Sequence, residues 1–94
     1  MKKEEIVKKL IDEINFVPEA SLRHVYCGND YITAIFTVDG LEITAVIPIN
    51  DPKNYNVFYP YAPEVFEHWG GEHSFWCLVE GMLDEVAYQE QEED

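Results

Sequence analysis

Tyr31-Ile32-Thr33-Ala34-Ile35-Phe36-Thr37-Val38-Asp39-Gly40-Leu41-Glu42-Ile43-Thr44-Ala45-Val46-Ile47-Pro48-Ile49 is the stretch whose reading decides the fold. Residues 31–38 alternate, with Ile32, Ala34, Phe36 and Val38 on one side and Tyr31, Thr33, Ile35 and Thr37 on the other. A period of two belongs to a strand. Asp39-Gly40 is the strongest short hairpin signal, a two-residue type I′ turn. Residues 41–49 alternate again, with Leu41, Ile43, Ala45 and Ile47 in phase. Such a turn opposes Val38 to Leu41, Phe36 to Ile43, Ala34 to Ala45 and Ile32 to Ile47. All four pairs are apolar, so turn type and face pattern agree on one register. The opposite face sets Thr37 against Glu42 and Ile35 against Thr44, and is at least partly wet.

Upstream, a strand over about 21–27 pairs through the Gly28-Asn29-Asp30 turn. Its inward face is ambiguous, because Leu22 and Tyr26 compete with Val25 and Cys27. Before it, Ile6, Val7, Leu10, Ile11 and Ile14 recur at the spacing of one buried helical stripe, predicting a helix over about 2–15. Glu4 and Glu5 precede Lys8 and Lys9 by four residues, the favourable orientation for helix ion pairs. Asn15 and Pro18 end that helix.

Downstream, Pro48 and Pro52 close the sheet segment. Residues 50–62 read as a loop rich in aromatics, with Tyr55, Phe58, Tyr59 and Tyr61. Phe58 is expected to fold back over the sheet, while Tyr55 and Tyr59 divide evenly between covering it and anchoring a partner. Pro63 suits the first turn of a short helix through about Trp69, which Gly70-Gly71 breaks. A last helix runs over about 74–90 with Ser74 as N-cap. Its buried stripe is Phe75, Trp76, Val79, Met82, Leu83 and Val86, and Glu80, Asp84, Glu85 and Tyr88 face away. Gly81 inside this helix marks close packing. The tail, residues 90–94, is expected to fray.

The architecture expected is α+β: an N-terminal helix, a three-stranded antiparallel sheet, an aromatic loop, a short helix and a long acidic C-terminal helix. The 94 residues form a single domain, 1–94. Both long helices cover the apolar face of the sheet. Hydrophobic residues at 47% and aromatics at 14% separate this chain from disordered acidic tails, which are poor in both.

Charge is the strongest functional signal. Up to Lys53, the final cation, the chain holds nine acids and six cations, a net charge of −3; after it come ten acids and a net charge of −10. Self-repulsion of that kind costs stability, so folding does not account for it. The partner implied is strongly basic, and a nucleic-acid-binding protein or effector complex fits best. Direct binding to nucleic acid or to an anionic membrane is disfavoured, because phosphates repel an acidic surface. No apolar run has the length of a secretory signal or a membrane span. The expected compartment is the cytoplasm of the host cell, as a monomer or homodimer.

The leading site is the outer face of the last helix. Glu80 and Asp84 stand about 6 Å apart along its axis, close to the roughly 7 Å advance of two phosphate steps on a DNA strand. The partner-binding set is Glu80, Asp84, Glu85, Tyr88 and Glu92, joined by Tyr55 and Tyr59 of the aromatic loop, since interface hot spots are enriched in Tyr. The bland reading of the same residues is a solubilising face. The Glu67-His68 and Glu72-His73 pairs flank a glycine turn but match no zinc motif, so no metal is expected. His24, Cys27, His73 and Cys77 offer two imidazoles and two thiols, although Cys27 and His24 point to opposite faces of a strand. Cys27 and Cys77 are expected as buried, inert free thiols, with one bridge between them the alternative. No catalytic signature surrounds them, no cofactor loop is present, and no enzyme is expected.

In size, in the Glu/Asp-rich helix from Glu80 to Asp94 and in its hairpin-plus-helix order, the chain resembles the small acidic inhibitors of phages and mobile elements. These include anti-CRISPR and anti-restriction proteins that imitate DNA. The resemblance covers the whole chain loosely and rests on no sequence motif. It implies an inhibitor that binds a basic effector of CRISPR or restriction type and competes with its nucleic acid. The alternative is an immunity protein or antitoxin that neutralises a basic toxin or nuclease by charge complementarity. Two further classes are a small hydrolase or metal protein around His68 and His73, and a dimeric secretion-type chaperone with exposed apolar helix surface.

Overall fold

The Asp39-Gly40 turn organises the molecule. In the computed structural model, which describes residues 3–88, Asp39 has φ 52° and Gly40 φ 82°, the paired positive values of a type I′ turn. It joins β2 (Tyr31–Val38) to β3 (Leu41–Pro48). The pairs Val38–Leu41, Phe36–Ile43, Ala34–Ala45 and Ile32–Ile47 form as the turn dictates. All eight of these side chains are buried. The Asp39 amide donates to the Glu19 carbonyl at 3.0 Å, tying the turn to the start of β1 (Ala20–Cys27).

The ambiguous face of β1 resolves through a bulge. Leu22 sits opposite Phe36, but His24 sits opposite Ile35, so the strand gains a residue at Arg23 and changes phase. Leu22 and Val25 therefore both pack against the core, and Tyr26 turns outward. Neither uniform alternation fits, because the strand contains both phases.

The sheet has four strands, not three. β4 (Asn56–Phe58) lies inside the stretch read as an aromatic loop and pairs antiparallel with β3 through Thr44–Phe58, Ala45–Val57 and Val46–Asn56. Three residues with one inward side chain, Val57, carry too little alternation to stand out from a loop. The strand order is β1-β2-β3-β4, a simple meander.

One face of this sheet is covered. α1 (Lys3–Phe16) buries Ile6, Leu10 and Ile14, and α3 (Glu72–Tyr88) buries Phe75, Val79, Met82, Leu83, Val86 and Ala87. The two helices pack against each other and form one core with the inner sheet residues. Phe36 and Phe75 are its largest fully buried side chains. Each such burial stabilises by roughly 1.5–3 kcal/mol. No described buried side-chain polar atom lacks a partner.

The short helix α2 (Pro63–His68) contributes Phe66 to this core. Trp69 ends it and donates its indole N–H to Asp39 Oδ2 at 2.5 Å, so α2 is clasped to the hairpin turn. Gly70 and Gly71 then take φ values of 94° and 120°, which reverse the chain into α3. The Gly71 carbonyl accepts the first helical bond, from the Phe75 amide at 3.0 Å. α3 thus starts at Glu72, and Ser74 lies within its first turn instead of capping it. Trp76 is only partly buried, and Ala87 joins the buried stripe. Gly81 faces solvent with nothing within 4 Å of an added Cβ, so it does not mark close packing.

Candidate partner-binding surface

The proposed acidic row on α3 divides into an occupied half and an open half. Buried Pro52 starts a single 3₁₀ turn, Pro52–Asn54, that lies against α3 and β3 and delivers Tyr55 to the helix. The Tyr55 hydroxyl donates to Asp84 Oδ1 at 2.7 Å and lies 3.4 Å from the Glu80 carbonyl oxygen. Burial first, then the bond to Asp84 and the nearby carboxylates, pushes the Tyr55 hydroxyl well above the usual tyrosine range. Tyr55 and Asp84 are therefore brought together, each half-buried and engaged with the other. Glu80 is also half-buried, whereas Glu85 is exposed. Lys53 Nζ stands 5.2 Å from the centre of the exposed Tyr88 ring, within cation–π range. Glu92 lies outside the described residues.

A second cluster of negative charge forms where α1 meets α3. Glu13 of α1 is raised above the ordinary carboxylate value of 4.5, by partial burial first, then by Glu85 across the helix seam and by Asp12 beside it. The sequence pattern drew its partner-binding set from α3, its tail and the aromatic segment, and took nothing from α1. Asp12 and Glu13 escaped it because their proximity to Glu85 depends on how two helices at opposite ends of the chain pack.

In the aromatic segment it is Tyr59, not Phe58, that tucks into the fold. Tyr59 makes edge-on contacts with Phe66 and Phe75, at centroid distances of 5.8 and 5.3 Å, and a tilted one with Trp76. Burial, then Glu72, raises its hydroxyl above the ordinary value. Phe58 is 59% exposed, because pairing with Thr44 places it on the outer face of the sheet.

The histidines and cysteines do not converge on one site. Exposed His68 approaches Asp39 at 3.7 Å, His73 Nε2 lies 3.7 Å from Cys77 Sγ one turn along α3, and His24 stacks near Tyr26 on the sheet. No group of three metal-ligating side chains forms among the described residues. Cys27 and Cys77 are both free, and both are exposed instead of buried. Cys77 falls off the inward stripe of α3, and Cys27 ends an edge strand beside an apolar groove floored by Val7 and Ile11 of α1.

The outer sheet face is the largest feature that the sequence pattern understated. Cross-strand pairing sets His24, Ile35, Thr44 and Phe58 in one row and Tyr26, Thr33, Val46 and Asn56 in the next. Tyr31 extends the surface beyond these rows and is 54% exposed. Among the described residues the only acid on this face is Glu42, in the end row with Ser21 and Thr37. Alternation showed a second face, but β4 had to be known before Phe58 could be placed on it.

No protein-family model matches the chain, and no curated protein or solved structure does so either. No described helix is long and apolar enough to cross a membrane.

Proposed function

We propose that this chain is an acidic inhibitor that binds the basic surface of a nucleic-acid-binding effector, of CRISPR or restriction type, and competes with its nucleic acid. One observation carries the reading. The helical layer holds like charges near one another where the fold does not need them, with Glu13 raised by Glu85 across the α1–α3 seam and by Asp12 beside it. Helices α2 and α3 add Glu64, Glu67, Glu72, Glu80 and Asp84 without a single Lys or Arg. Crowding of that kind lowers stability but focuses a field that attracts and orients a basic partner. The recognition residues are Glu85, Asp12 and Glu13, with Glu80 and Tyr88 at the margin. Asp84, Tyr55 and Tyr59 shape this surface from within.

The experiment is capture of partners from a host lysate on the immobilised chain, at low and at physiological salt, followed by displacement with DNA or RNA. Charge reversal at Asp12→Lys with Glu85→Lys is the matched control, since both side chains are exposed and Asp84 is needed by Tyr55. Support would be a basic protein whose capture falls with salt, is lost in the double variant, and is reversed by nucleic acid. A partner that still binds nucleic acid while held by the chain would move the assignment to an immunity protein or antitoxin. Capture that is indifferent to salt and to the double variant would overturn the reading.

A further inference from the structure

We propose that the outer face of the sheet is the interface of a homodimer, in which two copies stack sheet on sheet. The face exposes three large rings, Tyr26, Tyr31 and Phe58 at 55%, 54% and 59%, around the half-buried Ile35 and Val46, with the uncharged Ser21 and Asn56 and His24 between and beside them. Isolated exposed apolar residues are ordinary, but a contiguous set across four strands marks a contact surface.

The occupant follows from charge. The chain has a net charge of −13, and the helical layer carries most of the described acids. A basic partner gains little from a face whose only carboxylate is Glu42. A second copy fits it, because a face whose single carboxylate sits in its end row meets itself with little charge to strand, as a two-fold contact requires. Stacked sheets lie about 10 Å apart. With a helix layer outside each sheet, the two acidic layers stand roughly 30 Å apart, several Debye lengths at physiological salt. Sheet-on-sheet contact is thus the arrangement that lets two such acidic chains associate with least repulsion. A two-fold axis lying across the strands sends the two Glu42 carboxylates to opposite ends.

Three strands of eight residues give a face about 27 Å long and 14 Å wide, to which the three residues of β4 add a short edge, or roughly 440 Å² in projection. The protruding rings raise the accessible area toward the roughly 800 Å² per partner of a stable complex. A dimer built this way leaves both helical layers outward, on opposite sides.

Sedimentation of the full chain across the micromolar range tests this. The expected result is a dimer that dissociates on dilution and does not weaken as salt is raised, because the contact does not rest on charge pairs. Phe58→Glu and Tyr31→Glu should each give a monomer with unchanged circular dichroism, while Glu85→Lys should stay dimeric. Ring resonances of Tyr26, Tyr31 and Phe58 in the unmodified chain should shift on dilution, and those of Tyr61, exposed elsewhere, should not. This last measurement decides the matter even if a Glu variant fails to fold. A wild-type chain that is monomeric throughout would overturn the proposal. So would a dimer that both Glu variants preserve, or one whose dilution moves Tyr61 and leaves the sheet rings unchanged.

Discussion

The sheet and the helical layer use charge in opposite ways. The four strands contain one acid, Glu42, and one cation, Arg23, whereas the three helices contain ten acids and three lysines. On the inner face of the sheet every side chain answers to folding, in rows of apolar pairs, while the outer rows are largely β-branched and aromatic. In the helices, only the buried stripes answer to folding, and the exposed faces collect carboxylates that repel one another. Substitutions on the inner face of the sheet should therefore read out in stability. Substitutions on the helices should read out in binding, with small or opposite effects on stability.

Two phenylalanines give the sharpest form of this contrast. Phe36 is 0% exposed on the inner face and Phe58 is 59% exposed on the outer one. Phe36→Ala should lose about 3–5 kcal/mol, enough to leave a small domain marginal. Phe58→Ala, measured in dilute protein by urea unfolding, should lose well under about 1 kcal/mol. Comparable losses would mean that the outer face is not the open surface described.

The hairpin turn is the next largest. Gly40 has φ 82° and open space around an added Cβ, so Gly40→Val costs stability through backbone strain alone. Roughly 2–3 kcal/mol is expected, since a β-branched residue resists positive φ. Thr37→Ser, on the outer face of the same hairpin, should cost a fraction of that. Equal urea midpoints for the two would remove the turn from its controlling position.

The same hairpin shows where sequence reasoning has purchase. Its register was legible because two signals, a turn with fixed geometry and an alternation with fixed phase, had to agree. β1 was half legible, since one inserted residue at Arg23 cancels the phase that alternation relies on. β4 was illegible because one inward residue makes no pattern. The acidic row on α3 was legible as a helical face, but its division was not. Nothing local shows that Tyr55 reaches Asp84, or that Glu13 feels the charge of Glu85, because both are products of packing between distant segments.

Tyr55→Phe probes the occupied half of that row. It deletes the donor at 2.7 Å from a half-buried carboxylate, and should cost about 1–2 kcal/mol. The folded hydroxyl ionises above the ordinary value of 10.0, so this stability is present below that value and lost as pH climbs through the folded one. Thermal unfolding at alkaline pH should therefore fall less steeply in the variant than in the parent chain. Parallel curves would detach Tyr55 from Asp84.

The smallest effect has the opposite sign and belongs to the open half. Glu13 is raised above 4.5 by burial, Glu85 and Asp12, so the folded state holds its proton more tightly than the unfolded chain. That preference favours folding below the ordinary value and is lost as pH rises through the folded one. At neutral pH, then, the ionised Glu13 works against the fold. Acidification from neutrality toward 4.5 should raise the melting temperature of the parent chain. Glu13→Gln should raise it at neutral pH and flatten the gain on acidification, because the group that titrates is gone. Partner binding should weaken in the same variant, since Glu13 contributes to the field that the helical layer presents. A variant less stable than the parent at neutral pH would show that Glu13 serves the fold, and the division of labour between sheet and helices would fail at the seam where it is most exposed to test.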